Sequence, residues 1–356
     1  MSMYKQWIRP LLFRFDAETA HNMAKVVLQR PYLSRLFANE DLFVRDERLH
    51  VDLGGFRILN PVGLGAGFDK DCEMMDSLER LGFGYIVVGS VMCEPRSGNA
   101  RPRMVRDLER EALFSCMGLP SKGLDYAVAR LRQRRQGVVP LIINFNGIDL
   151  EEYVRCIEVL QPLGDAIEVS LFCPNQLDDH GDFLDPDVAV TLFEEIAKRK
   201  RKPIFIKILG YTSEDERQRR LDLVDRVIKY PVDGITIAPE SRVKEKRLSI
   251  GQGTLTGRPI FGQMLEVVRD VFEITKGKCP IKATGGIFSP EDAFEAIAAG
   301  ATTAEIVTGF AYEGWRIARN INQGLIDLMN KFNIENVTVL RGARLKIDHR
   351  EMETDL

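Results

Sequence analysis

The sequence predicts an α/β fold, namely a closed (β/α)8 TIM barrel with a short N-terminal helical extension. From residue 59 onward, eight short apolar runs alternate with longer stretches of helical spacing. Continuous apolar runs are typical of parallel strands that are covered on their outer face. Eight such units within about 260 residues fit a closed barrel better than an open doubly wound sheet. The predicted strands are 61–65, 85–89, 141–145, 167–172, 204–209, 234–238, 281–284 and 303–308.

Two short amphipathic helices are predicted ahead of the barrel. Apolar residues recur at helical spacing from Trp7 to Phe15, and again from Ala20 to Leu28, with Asp16 as the expected N-cap of the second helix. We therefore expect three parts: a helical extension over residues 1–38, a barrel over 39–340 and a polar C-terminal tail over 341–356.

The charge distribution suggests a surface role for the extension. Residues 1–38 contain six basic and two acidic residues, whereas the whole chain has a formal net charge of −3. A cationic amphipathic segment on an acidic body predicts contact with an anionic membrane, and a solvated helical face is the alternative. No apolar run reaches the roughly 18 residues that a membrane span needs, so we expect peripheral contact.

The composition of the chain limits the classes of protein to which it can belong. A hydrophobic content of 45% and a charged content of 28% are ordinary for a globular enzyme. The slightly negative net charge argues against nucleic acid as a partner. The six cysteines show no CxxC pair or zinc spacing, which predicts a reducing compartment and no structural metal. We expect a peripheral protein on the cytoplasmic side of the cell membrane.

Glycines follow the last two predicted strands. Residues 284–287 read TGGI and residues 307–310 read VTGF. Barrel enzymes often hold phosphate after strands seven and eight, where glycine lets backbone N–H groups approach an anion. Tight turns use glycine in any case, but the two motifs together predict a phosphate-bearing ligand. A further helix is predicted to begin at Ser289-Pro290-Glu291-Asp292, which has the pattern of a capping box.

Three polar residues are candidates for chemistry. Lys207 lies among apolar residues near the end of the fifth strand, where it would stabilise negative charge on a reduced flavin or pair with a structural carboxylate. Cys173 follows the fourth strand and precedes a polar stretch that resembles a lid, so it is a candidate general base, with a passive buried cysteine as the alternative. His180 in that stretch is a second acid/base candidate or a solvated loop residue.

Motifs along most of the chain resemble those of the dihydroorotate dehydrogenase family. They are NPVGLGAGFDKD at 60–71, VGSV at 88–91, PRSGNARPR at 95–103, MG at 117–118, CPN at 173–175, LTGRP at 255–259, GGI at 285–287 and TGF at 308–310. FRFD at 13–16 and AH at 20–21 resemble the helical extension of the quinone-dependent class, class 2. The match extends in order from about residue 4 to residue 330.

This resemblance implies an FMN oxidoreductase that converts dihydroorotate to orotate in pyrimidine synthesis and passes electrons to a membrane quinone. It places Lys70 against substrate and flavin, and Asn175 and Ser170 at the substrate. It makes Cys173 the base that removes a carbon-bound proton while hydride passes to flavin N5. The residues that it assigns to FMN are Gly65, Ala66, Gly67, Ser90, Asn144, Lys207, Gly257, Gly286, Val307 and Thr308.

The chain departs from the family pattern in the substrate half of the site. In the family, the position of Cys173 is serine in the quinone-linked class and cysteine in the soluble class. Three asparagines that contact the orotate ring are replaced, within Leu119-Pro120-Ser121, at Ser170 and within Ala238-Pro239-Glu240, while Asn175 is kept. A pocket that has lost such hydrogen bonds binds a polar substrate far less selectively.

Three functions remain open from the sequence. The first is a dihydroorotate dehydrogenase with an altered pocket. The second is a paralogue on the same flavin barrel with another small substrate. The third is a catalytically silent FMN-binding protein, against which the retained Lys70, Asn144, Lys207 and Cys173 argue, since a binder needs no base.

Overall fold

The computed structural model describes residues 2–34, 37, 40–135, 137–171, 183–239 and 241–343. A closed barrel of eight parallel strands forms its centre. Each strand pairs with the next along the chain, and the last closes on the first through the pairs Ala304↔Val62 and Ile306↔Leu64. The barrel strands are Val62–Leu64, Tyr85–Met92, Leu141–Asn146, Ala166–Ser170, Ile204–Ile208, Gly234–Ile237, Ile281–Thr284 and Thr303–Ile306.

All eight predicted strands and the predicted TIM barrel are thus confirmed, with shifts of one to three residues at most strand ends. The eighth ends at Ile306 because a helix begins at Thr308. Ser289 and Asp292 form the predicted capping box. Helices cover the outer face of the barrel between the strands: Met75–Leu78, Leu124–Arg132, Leu150–Leu160, Pro186–Arg199, Glu214–Val227, Phe261–Ile274, Pro290–Ala298, Thr308–Glu313 and Ile317–Phe332, followed by Val337–Leu340.

The described residues form six further strands that the sequence pattern does not predict. A hairpin of Val51–Leu53 and Phe56–Ile58 precedes the barrel, and its Phe56 ring packs 6.4 Å from that of Phe205. An antiparallel sheet packs around a small apolar cluster of its own. These strands are short and none is a continuous apolar run, so the pattern that predicts the barrel strands does not reveal them. The strands of the sheet are, in spatial order, Ser241–Lys244, Gln252–Gly257, Ala112–Ser115 and Met104–Asp107.

The N-terminal extension is helical as predicted. Its elements are the π-helix Tyr4–Ile8 and the α-helices Arg9–Leu12, Ala17–Leu28 and Pro31–Ser34. Asp16 caps the long helix by accepting a hydrogen bond from the Thr19 amide at 2.9 Å. No helix in the part of the chain that the structure describes is long and apolar enough to cross a membrane.

Polar contacts hold the extension against the barrel. Tyr4 OH donates to the Ala311 carbonyl at 2.6 Å, and Lys5 pairs with Glu313 at 2.6 Å. Large apolar side chains of the extension nevertheless remain exposed, with Trp7 at 69% and Leu11 at 56%. The extension therefore has one face fixed to the protein and another that presents apolar surface to its surroundings.

Candidate active site

A cavity of about 850 Å³ opens at the C-terminal ends of the barrel strands. Its walls come from three parts of the molecule: the strand ends, the antiparallel sheet and the N-terminal extension. A cavity of this size suits a cofactor or drug-sized ligand. It brings together many of the residues predicted from the sequence for cofactor and substrate: Ala66, Gly67, Lys70, Lys207, Gly257, Gly286, Val307 and Thr308.

Two of the predicted glycines occupy positions that only glycine fits. Gly257 has φ +95°, and a Cβ there would lie 2.4 Å from the Glu111 carbonyl oxygen. Gly286 has φ +71°, and a Cβ there would lie 2.6 Å from Phe261 Cβ. Both line the cavity beside Thr308, where a helix begins after the eighth strand. Backbone N–H groups that no side chain covers, in the loops after strands seven and eight, are the arrangement expected of a phosphate site.

Four lysines line the same cavity, and two of them, Lys70 and Lys207, are residues that the sequence predicts for the site. Lys70 Nζ donates to the Gly67 carbonyl at 2.5 Å, across the turn that follows the first strand. Lys207 forms no ion pair with any carboxylate that the structure describes. Burial alone would raise the pKa of the Glu168 carboxyl, but the charges of Lys282 and Lys207 hold that pKa below its usual value. Lys207 therefore contributes positive charge to the cavity floor.

Ser90 and Asn144 lie on the neighbouring second and third strands. Asn144 Nδ2 donates to Glu168 Oε1 at 2.7 Å and to Ser170 Oγ at 2.8 Å. Asn144 Oδ1 and Ser90 Oγ are buried and have no hydrogen-bond partner among the described residues. Buried polar groups are normally satisfied, so these two atoms fit a ligand that offers complementary polar atoms. Neither residue is among those that line the cavity, but together with the glycine backbones, Lys70 and Lys207, their unpaired atoms fit a flavin mononucleotide.

The substituted positions of the substrate half also lie in or next to the cavity. Pro120 and Pro239 line it. Ser170 accepts a hydrogen bond from Asn144 and is 6% exposed, so its hydroxyl lies within the buried network. Gly65, behind the first turn, donates its amide to the Ile306 carbonyl at 3.1 Å. Cys173, Asn175, His180 and Glu240 fall outside the described residues.

His21 is a cavity residue that sequence reasoning noted only as part of a motif. It lies on the helix Ala17–Leu28, and its ring meets Phe68 edge-on at 5.0 Å. Burial, together with the positive charges of Lys70 and Lys25, lowers the pKa of His21 to about 4. Its imidazole is therefore neutral near pH 7.

Comparisons with known proteins agree with this geometry. The family model for dihydroorotate dehydrogenase matches residues 48–329. The chain belongs to this family. The quinone-dependent dihydroorotate dehydrogenase of Roseiflexus sp. (strain RS-1) is 35% identical over 346 residues, covering 89% of this chain and 92% of that protein. The quinone-dependent dihydroorotate dehydrogenase of Sulfurimonas denitrificans is 32% identical over 355 residues, covering 96% of this chain and 99% of that protein.

Solved structures of the family have the same architecture. The ligand-free enzyme from Eimeria tenella superposes with a TM-score of 0.83 at 25% identity, covering 92% of this chain and 99% of that one. The complex of the Eimeria tenella enzyme with ferulenol superposes with a TM-score of 0.81 at 26% identity, covering 94% of this chain and 96% of that one. Dihydroorotate dehydrogenases are oxidoreductases that act on CH–CH donors and generally use FMN. The predicted family and the prediction of an enzyme are therefore confirmed.

Proposed function

We propose that this chain is an FMN-dependent dihydroorotate dehydrogenase of pyrimidine synthesis that delivers electrons to a membrane quinone. The observation that carries the proposal is that the glycine-rich strand ends, Lys70, Lys207 and the N-terminal extension all line the same cavity. One cavity between these parts provides space for a cofactor beside its electron acceptor. Membership of the quinone-dependent family supports the same reaction.

The FMN phosphate would be held by backbone groups at Gly257, Gly286 and the start of the helix at Thr308. The flavin ring would form hydrogen bonds with Ser90 Oγ and Asn144 Oδ1, which have no partner among the described residues. The remaining contacts are proposed at Gly65, Ala66, Gly67, Lys207 and Val307. When bound, FMN supplies a two-electron acceptor that takes hydride at N5 and is reoxidised by quinone.

The protein's own residues would position the substrate and move its proton. Cys173 Sγ is proposed as the base that removes the carbon-bound proton, because a thiol titrates nearer neutrality than a hydroxyl. Lys70 is placed by its bond to the Gly67 carbonyl, and its charge would orient an anionic substrate. Asn175 and Ser170 are proposed on the substrate side, Ser170 through its hydrogen bond to Asn144.

The extension, residues 1–38, is proposed to bind the quinone and to contact the cytoplasmic face of the cell membrane. Its inner face gives the cavity an apolar wall that includes Ile8, Leu12 and Val27. Its outer face exposes Trp7 and Leu11, which would enter the interfacial region of a bilayer. A quinone could then pass from the membrane into the cavity without crossing water.

A second candidate is a paralogue that oxidises or reduces a different small substrate. It is favoured by the two prolines that line the cavity, Pro120 and Pro239, because proline has no backbone N–H and no polar side chain. A catalytically silent FMN-binding protein is the third candidate. It gains no support from a cavity that combines Lys70 and Lys207 with space for a second ligand.

The deciding experiment is anaerobic stopped-flow absorbance of the purified protein mixed with dihydroorotate. Rapid bleaching of the flavin with formation of orotate is the expected result. A yellow protein that dithionite bleaches and dihydroorotate does not would favour the paralogue. A colourless protein that takes up no added FMN would overturn the flavin assignment.

A further inference from the structure

The interior of the barrel contains three charged side chains that the sequence-based site did not include. Lys282 of the seventh strand donates to Glu168 Oε2 of the fourth strand at 2.5 Å and to Glu305 Oε1 of the eighth strand at 3.0 Å. The side chains of all three are at most 1% exposed. We call Glu168, Lys282 and Glu305 the buried triad. With both carboxylates ionised and the lysine protonated, it carries one net negative charge.

Hydrogen bonds fix the carboxylate of Glu305 in one orientation. Its Oε1 also accepts from Tyr85 OH at 3.1 Å, and its Oε2 accepts from Thr284 Oγ1 at 2.5 Å. Burial acts to lower the pKa of Lys282, but Glu168 and Glu305 outweigh it and raise that pKa. The lysine therefore remains protonated in the folded protein.

The triad reaches the cavity through Glu305. This residue and its partner Thr284 both line the cavity. A Cβ on Gly65 would lie 3.3 Å from Glu305 Oε2, so the carboxylate lies directly behind the turn after the first strand. Lys207 reaches the same floor from the fifth strand. The cavity is thus lined by the cation of Lys207 and by the carboxylate of Glu305, which Lys282 neutralises only in part.

Stability alone does not account for the triad. Taking three charges out of water costs several kcal/mol per ion, and apolar residues of similar volume often replace buried ionic clusters without loss. The residues next to the triad on these strands, such as Ile167, Ala283 and Ala304, are apolar and fully buried, and since side chains alternate along a strand they pack on the outer face under the helices. A charged cluster at the floor of a cavity points instead to an electrostatic role toward the ligand.

We propose that the buried triad, acting through the carboxylate of Glu305, lowers the reduction potential of the flavin held in the cavity. This inference rests on the proposed binding of FMN. Two-electron reduction adds negative charge to the ring, which a nearby fixed carboxylate disfavours and Lys207 favours. Glu305 therefore opposes Lys207, and the reduced cofactor becomes a stronger donor to the quinone.

The test is the midpoint potential of the bound flavin, measured by anaerobic equilibration with a redox dye of known potential. Glu305→Gln keeps the shape of the side chain and removes one negative charge. We expect at least a tenfold shift toward reduced flavin at a fixed potential, which is a rise of about 30 mV for a two-electron couple. Glu168→Gln, which removes the same charge farther from the cavity, should shift the potential in the same direction by less.

The matched control is Glu158→Gln, since Glu158 is a 59% exposed side chain paired with Arg199 on the outer helices. Its potential should equal that of the wild type. A wild-type protein that binds no flavin would overturn the proposed function and this inference together. Bound flavin with the same potential in the wild type, Glu305→Gln and Glu168→Gln would overturn only this inference.

Discussion

Glu18 of the N-terminal extension forms an ion pair with Arg103, with 2.8 Å between Oε1 and Nη2, although the two residues lie 85 positions apart. The same guanidinium donates to the Ser97 carbonyl at 2.6 Å and the Asn99 carbonyl at 3.0 Å. Arg103 therefore joins the extension to the loop that begins after the second barrel strand. Since both the extension and Arg103 line the cavity, this ion pair helps to set the shape of its mouth.

We predict that Glu18→Ala loosens the extension. Removing the carboxylate leaves Arg103 without its charged partner, which should lower the free energy of unfolding by about 1–3 kcal/mol. The KM for a soluble quinone should rise several-fold while the FMN content stays the same. Urea unfolding and steady-state kinetics measure the two effects.

Glu158→Ala serves as the control for this prediction, because it removes an exposed ion pair from the helix Leu150–Leu160. It should change neither the KM nor the unfolding free energy by more than a few tenths of a kcal/mol. Equal KM values in Glu18→Ala and wild type would show that the extension does not shape the quinone site.

His21 predicts a dependence of stability on pH. Its pKa in the fold, about 4, lies below the usual value near 6.5 because of burial and the charges of Lys70 and Lys25. The fold therefore favours neutral imidazole, and the resulting stability is fully present above pH 6.5 and is lost as the pH falls toward 4. His21→Phe keeps a ring against Phe68 but does not titrate.

The measurement is the unfolding free energy of wild type and His21→Phe between pH 7 and pH 4. Groups that titrate in both proteins cancel in the difference. The wild type should lose stability relative to the variant as the pH falls. A difference that stays constant over this range would show that His21 is not buried in its neutral form.

The barrel could be predicted from the sequence because each strand is a continuous apolar run. Leu141–Asn146, for example, is buried at every position. Predicting strands from apolar runs does not reveal the buried triad. Glu168 and Glu305 are each one charged residue within an apolar strand, and Lys282 lies next to Ile281. Charged residues inside such strands were a usable signal, as Lys207 shows. Their pairing was not predictable, because Glu168 and Lys282 are 114 residues apart and meet only across the closed barrel.

The candidate site was predictable to a similar extent. Sequence motifs identified Gly257 and Gly286 as candidate site residues. The structure explains why glycine is needed at both positions: each has a positive φ, and a Cβ would lie too close to neighbouring backbone atoms. The contribution of the sheet that contains Met104–Asp107 and Gln252–Gly257 could not be foreseen, because its strands are only four to six residues long and are not continuous apolar runs. The unpaired Oδ1 of Asn144 is visible only when its neighbours are placed.

Cys173 is predicted to act as the catalytic base. Cys173→Ala should leave FMN bound and slow the reduction of the flavin by dihydroorotate by 10²- to 10⁴-fold, the usual range for a general base. Cys173→Ser should retain more activity than Cys173→Ala and should shift the pH profile of flavin reduction upward, since a hydroxyl loses its proton less readily than a thiol. Stopped-flow reduction from pH 6 to 10 measures both. Unchanged rates in Cys173→Ala would remove this residue from the mechanism.

Asn144 is predicted to contribute directly to FMN affinity. Its Nδ2 is held by Glu168 and Ser170, so the amide cannot rotate without losing two hydrogen bonds, and Oδ1 is left as an acceptor without a donor among the described residues. A ring N–H of the cofactor would satisfy it, and one such bond is worth about 0.5–1.5 kcal/mol. Asn144→Ala should therefore raise the Kd for FMN about tenfold, as measured by flavin fluorescence during titration of the apoprotein.

Asn322 offers a matched control for this prediction. It is also a buried asparagine whose Oδ1 lacks a partner among the described residues, but it lies on the outer helix Ile317–Phe332, whereas Asn144 lies on the barrel strand Leu141–Asn146. Asn322→Ala should change stability by a similar amount and leave the Kd for FMN unaltered. If both variants weakened FMN binding equally, the effect of Asn144→Ala would come from altered packing of the protein and not from a lost contact to FMN. A change confined to Asn144→Ala would identify its amide oxygen as a contact to the cofactor.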